Sequence, residues 1–88
     1  MILNDTIVID LHGFRFIEAK TELFDCLEGY FKQGYSIFEI IHGFKGGTVL
    51  RDYVRFRLKI DFEKRFKKCS LLIKNSSSGS TIVSIITL

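Results

Sequence analysis

The chain carries two histidines, and each stands directly before a glycine: His12-Gly13 and His42-Gly43. Imidazole titrates near neutral pH, so two convergent rings can act as general base and general acid on a phosphodiester. Asp10 lies two residues before His12. On an extended strand that spacing puts both side chains on one face, where the carboxylate can orient the ring or position a water. Asp10, His12 and His42 are also residue types that hold a divalent metal ion. After His42 comes a glycine-rich run, Gly43-Phe44-Lys45-Gly46-Gly47. Glycines let backbone N–H groups approach a phosphate closely, and a helix N-terminus just beyond adds to the attraction. Lys45 and Arg51 bring charge to the same place, and Phe44 at the loop tip can stack on a base. The run does not end in Gly-Lys-Ser/Thr, so it is not a P-loop. Each feature also has a purely structural reading: a histidine capping a strand, a Gly-Gly turn, an aspartate bonded to its own turn.

These residues need strands and helices to bring them together. Thr6 to Leu11 reads as a buried strand, with Thr6, Val8, Asp10 and His12 on one face. Phe16 to Gln33 reads as a helix, with Ala19, Leu23, Cys26, Leu27 and Tyr30 at helical spacing and Gly34 as its stop. Ser36 to Ile41 is a second strand ending at His42. Thr48 is a candidate N-cap for a second helix, from about Val49 to about Asp61. Leu50, Val54 and Leu58 form its apolar centre, and Arg51, Arg55 and Lys59 form a basic stripe at four-residue spacing. Arg57 falls inside the apolar arc, where an arginine snorkels to the edge or reaches a ligand. Phe62 to Lys68 is a basic connection. Cys69 to Lys74 and Ser80 to Leu88 are the last strands, joined by a serine-rich turn.

The order β-α-β-α-β-β predicts an α/β (α+β) two-layer sandwich: a mostly parallel, mixed four-stranded sheet with two helices. The last connection is too short for a crossover. The final strand is therefore expected to be antiparallel and at the sheet edge. The two histidines, at the ends of parallel neighbours, should share the C-terminal edge of the sheet, where open α/β sheets bind ligands.

With 88 residues, the chain is one domain over 1–88 with a modest core. Two cysteines exclude a disulfide framework and a four-cysteine zinc site. Cys26 reads as core, and neither thiol is paired with a base. No apolar run is long enough to span a bilayer, and the N-terminus has no export segment, so a cytoplasmic setting without membrane contact is expected. Net charge is only +3, but Arg51 to Lys68 holds eight basic and three acidic residues, or +5, against −2 elsewhere. That asymmetry suits either a polyanion partner or a solvated helix face.

Four motifs in order resemble the Smr (small MutS-related) domain: Asp10-Leu11-His12-Gly13 with Glu18-Ala19; Ile40-Ile41-His42-Gly43 with its glycine loop; Leu50-Arg51; and the closing Gly79-Ser80-Thr81-Ile82-Val83. The resemblance spans about Ile7 to Leu88. It implies the same β-α-β-α-β-β sandwich and a nucleic-acid-binding domain with endonuclease activity, nicking DNA or cleaving RNA. By position, Asp10, His12 and His42 are the implied catalytic residues. Gly43 and Arg51 also match by position; with the loop and basic-stripe residues read above, the expected nucleic-acid contacts are Gly13, Gly43, Phe44, Lys45, Gly46, Gly47, Arg51, Arg55 and Lys59. The loop departs from the family's alternating His-Gly-x-Gly-x-Gly-x-Leu-Arg: it is one residue longer and its last two glycines are adjacent. Two function classes follow. One is an endonuclease, by two histidines on RNA or by metal-activated water on DNA. The other is a non-catalytic binding or interaction module of a MutS-related or ribosome-rescue protein.

Overall fold

Alternate apolar positions along four short segments build the sheet. The computed structural model describes residues 3–43 and 48–88. The elements run β1 (Leu3–Asp10), α1 (Phe16–Lys32), β2 (Tyr35–Ile41), α2 (Thr48–Phe56), α3 (Leu58–Arg65), β3 (Cys69–Asn75) and β4 (Ser80–Thr87). The strands form one mixed sheet in the order β1-β2-β4-β3. Ile9, Phe38, Ile40, Val83, Ile85 and Leu71 turn inward and share a core with Ala19, Leu23, Leu27, Val54, Leu58 and Phe62 of the helices. The other face of the sheet carries Val8, Leu72 and Ile86, all exposed. The strands are thus buried on one side only. No helix among the described residues is long and apolar enough to cross a membrane.

The α+β architecture is the one expected, with three corrections. Only β1 and β2 run parallel; β2–β4 and β3–β4 are antiparallel, so the sheet is mixed rather than mostly parallel. The last strand is internal, not at the edge. Its run Ser80-Thr81-Ile82-Val83-Ser84-Ile85-Ile86 buries Thr81, Val83 and Ile85, which suits a strand flanked on both sides. β3, with the exposed Lys74, takes the edge instead. Third, the expected second helix is two helices, with Arg57 as the break.

The break is a bend rather than an interruption. Arg57 leaves helical geometry (φ −120°, ψ −30°). Yet its N–H still bonds Tyr53 O at 2.9 Å and its carbonyl still accepts from Asp61 N at 3.1 Å. The bend lets one apolar stripe, Leu50, Val54, Leu58 and Phe62, stay buried while α2 lies against β4 and α3 against β3. The Tyr53 hydroxyl donates to Asp61 across it at 2.7 Å. Arg57 itself points outward toward Asp61 Oδ1 at 3.8 Å. At the start of α1, Glu18 accepts from the Arg15 N–H and Ala19 is fully buried, so this pair serves helix initiation and packing. At its end Gly34 takes φ 106°, as the C-terminal stop requires.

Lys59 and Glu63 join α3 to β3. Glu63 Oε2 accepts from Lys59 Nζ (2.5 Å), Leu71 N (2.8 Å) and Ser70 Oγ (3.0 Å), and Lys59 Nζ also donates to Leu71 O (3.0 Å). Lys59, beside a hydrogen-bonded Leu71 amide, holds the Glu63 carboxyl down at about 2 from an ordinary 4.5. A carboxyl depressed on folding stabilises the fold fully above its unfolded value. That contribution is lost as pH falls from about 4.5 toward about 2. Urea midpoints should therefore fall across this window in the wild type. Glu63→Gln should start lower at pH 7 and show a flatter fall; equal slopes would exclude Glu63 as the group responsible.

Candidate functional site

The β1–β2 ladder decides where the two histidines point. Asp10 is paired with Ile41, and Leu11 N donates to Ile41 O at 2.8 Å, so Leu11 lies beside His42 and His12 beside Gly43. Successive residues of a strand face opposite sides. Leu11 and His42 are accordingly buried on the helix side, and His12 follows Asp10 onto the open side. Both histidines stand at the expected sheet edge, but on opposite faces.

Asp10 and His12 form an exposed pair. Asp10 Oδ1 meets His12 Nδ1 at 2.5 Å and accepts from the His12 backbone N–H at 3.1 Å. The hydrogen bonds from His12 hold the Asp10 carboxyl below its usual range. A carboxylate on Nδ1 fixes the proton there and leaves Nε2 free to accept one. The His12 side chain is 70% exposed, so Nε2 is open to a substrate. Gly13 (φ 83°) and Gly43 (φ 80°) both adopt left-handed backbone here. A methyl group on Gly43 would touch His12 Cβ at 3.6 Å.

His42 is built differently. It is 3% exposed. Its Nε2 lies 3.0 Å from Thr81 Oγ1 and its Nδ1 3.1 Å from Gly43 O. Burial, aided by the charges of Arg55 and Arg51, outweighs the Gly43 bond and holds its pKa below the usual histidine value. With both ring nitrogens bonded and the ring turned inward, His42 does not converge with His12 as an acid–base pair. Nor does it join Asp10 and His12 as a metal-ligand set. Among the described residues no group of three His, Cys, Asp or Glu side chains can hold a metal ion.

The basic stripe divides in the same way. Arg51 stays near the site, a third exposed, with Nε 3.3 Å from Asp52 Oδ1. Arg55 turns inward: Nε donates to Thr81 Oγ1 at 2.9 Å, and Nη2 bonds Ser80 O at 3.1 Å and Ser77 O. Lys59 lies beyond the bend, on β3. Phe44, Lys45, Gly46 and Gly47 fall outside the described residues. Cys26 is half-buried, and burial with a bond to Glu22 pushes its thiol up to about 11, so it is no nucleophile.

Sequence reasoning assigned no role to Thr81, Gly79 or the serine turn. Gly79 O accepts from both His42 N (3.0 Å) and Gly43 N (3.1 Å). The signal was present in the run Gly79-Ser80-Thr81, whose three residues all serve this junction.

Comparison with known proteins identifies the fold and the family. The crystal structure of the Smr domain of Thermus thermophilus MutS2 superposes with a TM-score of 0.67 at 27% identity, covering 91% of this chain and 98% of that one. No curated protein gave a match. The Smr domain model matches residues 9–86, from the second half of β1 almost to the end of β4. The chain therefore belongs to the Smr domain family.

Proposed function

We propose that this domain binds nucleic acid at the C-terminal ends of β1 and β2 and cleaves phosphodiesters there, with His12 as the base and Asp10 as the carboxylate that orients it. The observation that carries this proposal is the exposed Asp10–His12 dyad beside Gly43, with Arg51 on the helix that follows the glycine loop. Membership of a family of nucleic-acid-binding domains that includes nucleases supports it. On RNA, His12 Nε2 takes the 2′-hydroxyl proton, O2′ bonds to phosphorus, the P–O5′ bond breaks, and the leaving oxygen takes a proton from water. On DNA, a water is the nucleophile and His12 its base. Arg51, with Lys45 and the loop amides, would hold the phosphate. A cytoplasmic setting beside a MutS-type protein or a ribosome fits this activity.

A second function, binding without cleavage, is favoured by one observation: His42 has both ring nitrogens engaged and offers no proton to a leaving group.

The test is incubation with labelled single-stranded RNA and supercoiled DNA, with and without EDTA. His12→Ala should lower cleavage by about 10²–10⁴ and leave stability within about 0.5 kcal/mol. Asp10→Asn should also lose most of the activity, by releasing the imidazole from its tautomer. Binding without cleavage in the wild type would select the second function. Cleavage that survives His12→Ala would remove the dyad from the chemistry. His42→Ala opens a cavity and strands the Thr81 hydroxyl. It should cost about 2–4 kcal/mol, a fall in Tm on the order of 10 °C or more. Thermal melts of the two variants separate the roles of the two histidines.

A further inference from the structure

We propose that Arg55 and Thr81 are positioning residues that act through the buried His42 ring to hold Gly43 against His12, and that Arg55 is a strut rather than a phosphate ligand. This rests on the nucleic-acid reading of the β1–β2 edge.

The partners determine where each proton lies. Gly43 O can only accept, so His42 Nδ1 carries the hydrogen in that bond. A neutral imidazole then has a bare Nε2, which must accept. Its partner, the Thr81 hydroxyl at 3.0 Å, has one proton to give. Having donated it, Thr81 Oγ1 has lone pairs left, and Arg55 Nε, which can only donate, fills one at 2.9 Å. The result is one directed chain: Arg55 Nε–H to Thr81 O–H to His42 Nε2, then Nδ1–H to Gly43 O. Polar groups linked in one direction strengthen one another where water is excluded.

The chain ends on the residue that lies beside His12 across the β1–β2 pair. Gly43 is held on both sides, its N–H by Gly79 O and its carbonyl by His42 Nδ1. Its φ of 80° is a left-handed conformation, and a Cβ added there would meet His12 Cβ at 3.6 Å. Arg55 also grips Ser77 O and Ser80 O, so the serine turn that supplies Gly79 and the start of β4 that supplies Thr81 are tied to the same guanidinium. That guanidinium has donated three hydrogen bonds inward. Arg51, four residues earlier, donates among the described residues to its neighbour Asp52.

Salt dependence of RNA binding distinguishes a strut from a phosphate ligand. Losing one phosphate contact reduces the slope of log K against log salt by about 0.7 for a single strand. Arg51→Gln should show that reduction. Arg55→Gln should weaken binding about tenfold, the loss of one buried charged hydrogen bond, with the slope unchanged. Thr81→Val, which alters no charge, should match it, and Thr81→Ser should restore wild-type affinity. A slope reduction in Arg55→Gln with wild-type binding by Thr81→Val would overturn the proposal. If Thr81→Val does not fold, Arg55→Gln alone decides by its slope. Nitrogen NMR of the free protein gives an independent answer. His42 should carry its proton on Nδ1, and the Gly43 amide should exchange faster in Arg55→Gln. A proton on Nε2, or unchanged exchange, would overturn the strut even where binding is affected. Should the wild type bind no RNA, the nucleic-acid function fails, and the NMR measurements still decide the strut.

Discussion

The parallel register of β1 against β2 is the constraint from which the site follows. Once Asp10 is paired with Ile41, the pleat sends Leu11 and His42 into the core and Asp10 and His12 to the open face. A slip of one residue would reverse both. It would bury an aspartate and expose a leucine, so the hydrophobic core itself enforces the placement of the exposed pair. The two motif histidines, alike in sequence, thereby receive different environments and different chemistry.

Burying His42 imposes a second requirement, that every polar atom around it find a partner. The fold meets it with groups from three places: the hydroxyl of Thr81 on β4, the guanidinium of Arg55 on α2, and backbone carbonyls of the serine turn and Gly43. Among the described residues no buried side-chain nitrogen or oxygen lacks a partner. The junction ties α2, β2 and β4 together at the end of the sheet where the exposed dyad sits. Rigidity there is what the proposed action of His12 as a base, in one geometry, requires.

The order of elements is legible in the sequence because each carries a strong period and most ends have a glycine or polar signal. Gly34 and the serine turn fall where the pattern places them. The dyad is legible too, since the Asp10–His12 spacing on a strand needs no tertiary knowledge. The orientation of His42 is not, because it depends on register, a property of two strands rather than one. Likewise the Arg51, Arg55 and Lys59 stripe is correct as a helical period and misleading as a surface. The bend at Arg57 has no proline or glycine to announce it; it accompanies the change from α2 packed on β4 to α3 packed on β3, with Val54 and Phe62 both buried. The internal place of β4 is legible only in part, through its β-branched residues on either side of Ser84.

The clamp of Lys59 and Glu63 on Leu71 has a consequence for how the sheet meets its surroundings. β3 is an outer strand, and outer strands present unpaired amides and carbonyls that invite another chain to pair. Here the amide and carbonyl of Leu71 are already taken, by a carboxylate and an ammonium reaching over from α3. A strand approaching from that side meets two charged side chains in place of a ladder, so this margin of the sheet is guarded against self-association by the same residues that anchor the helix.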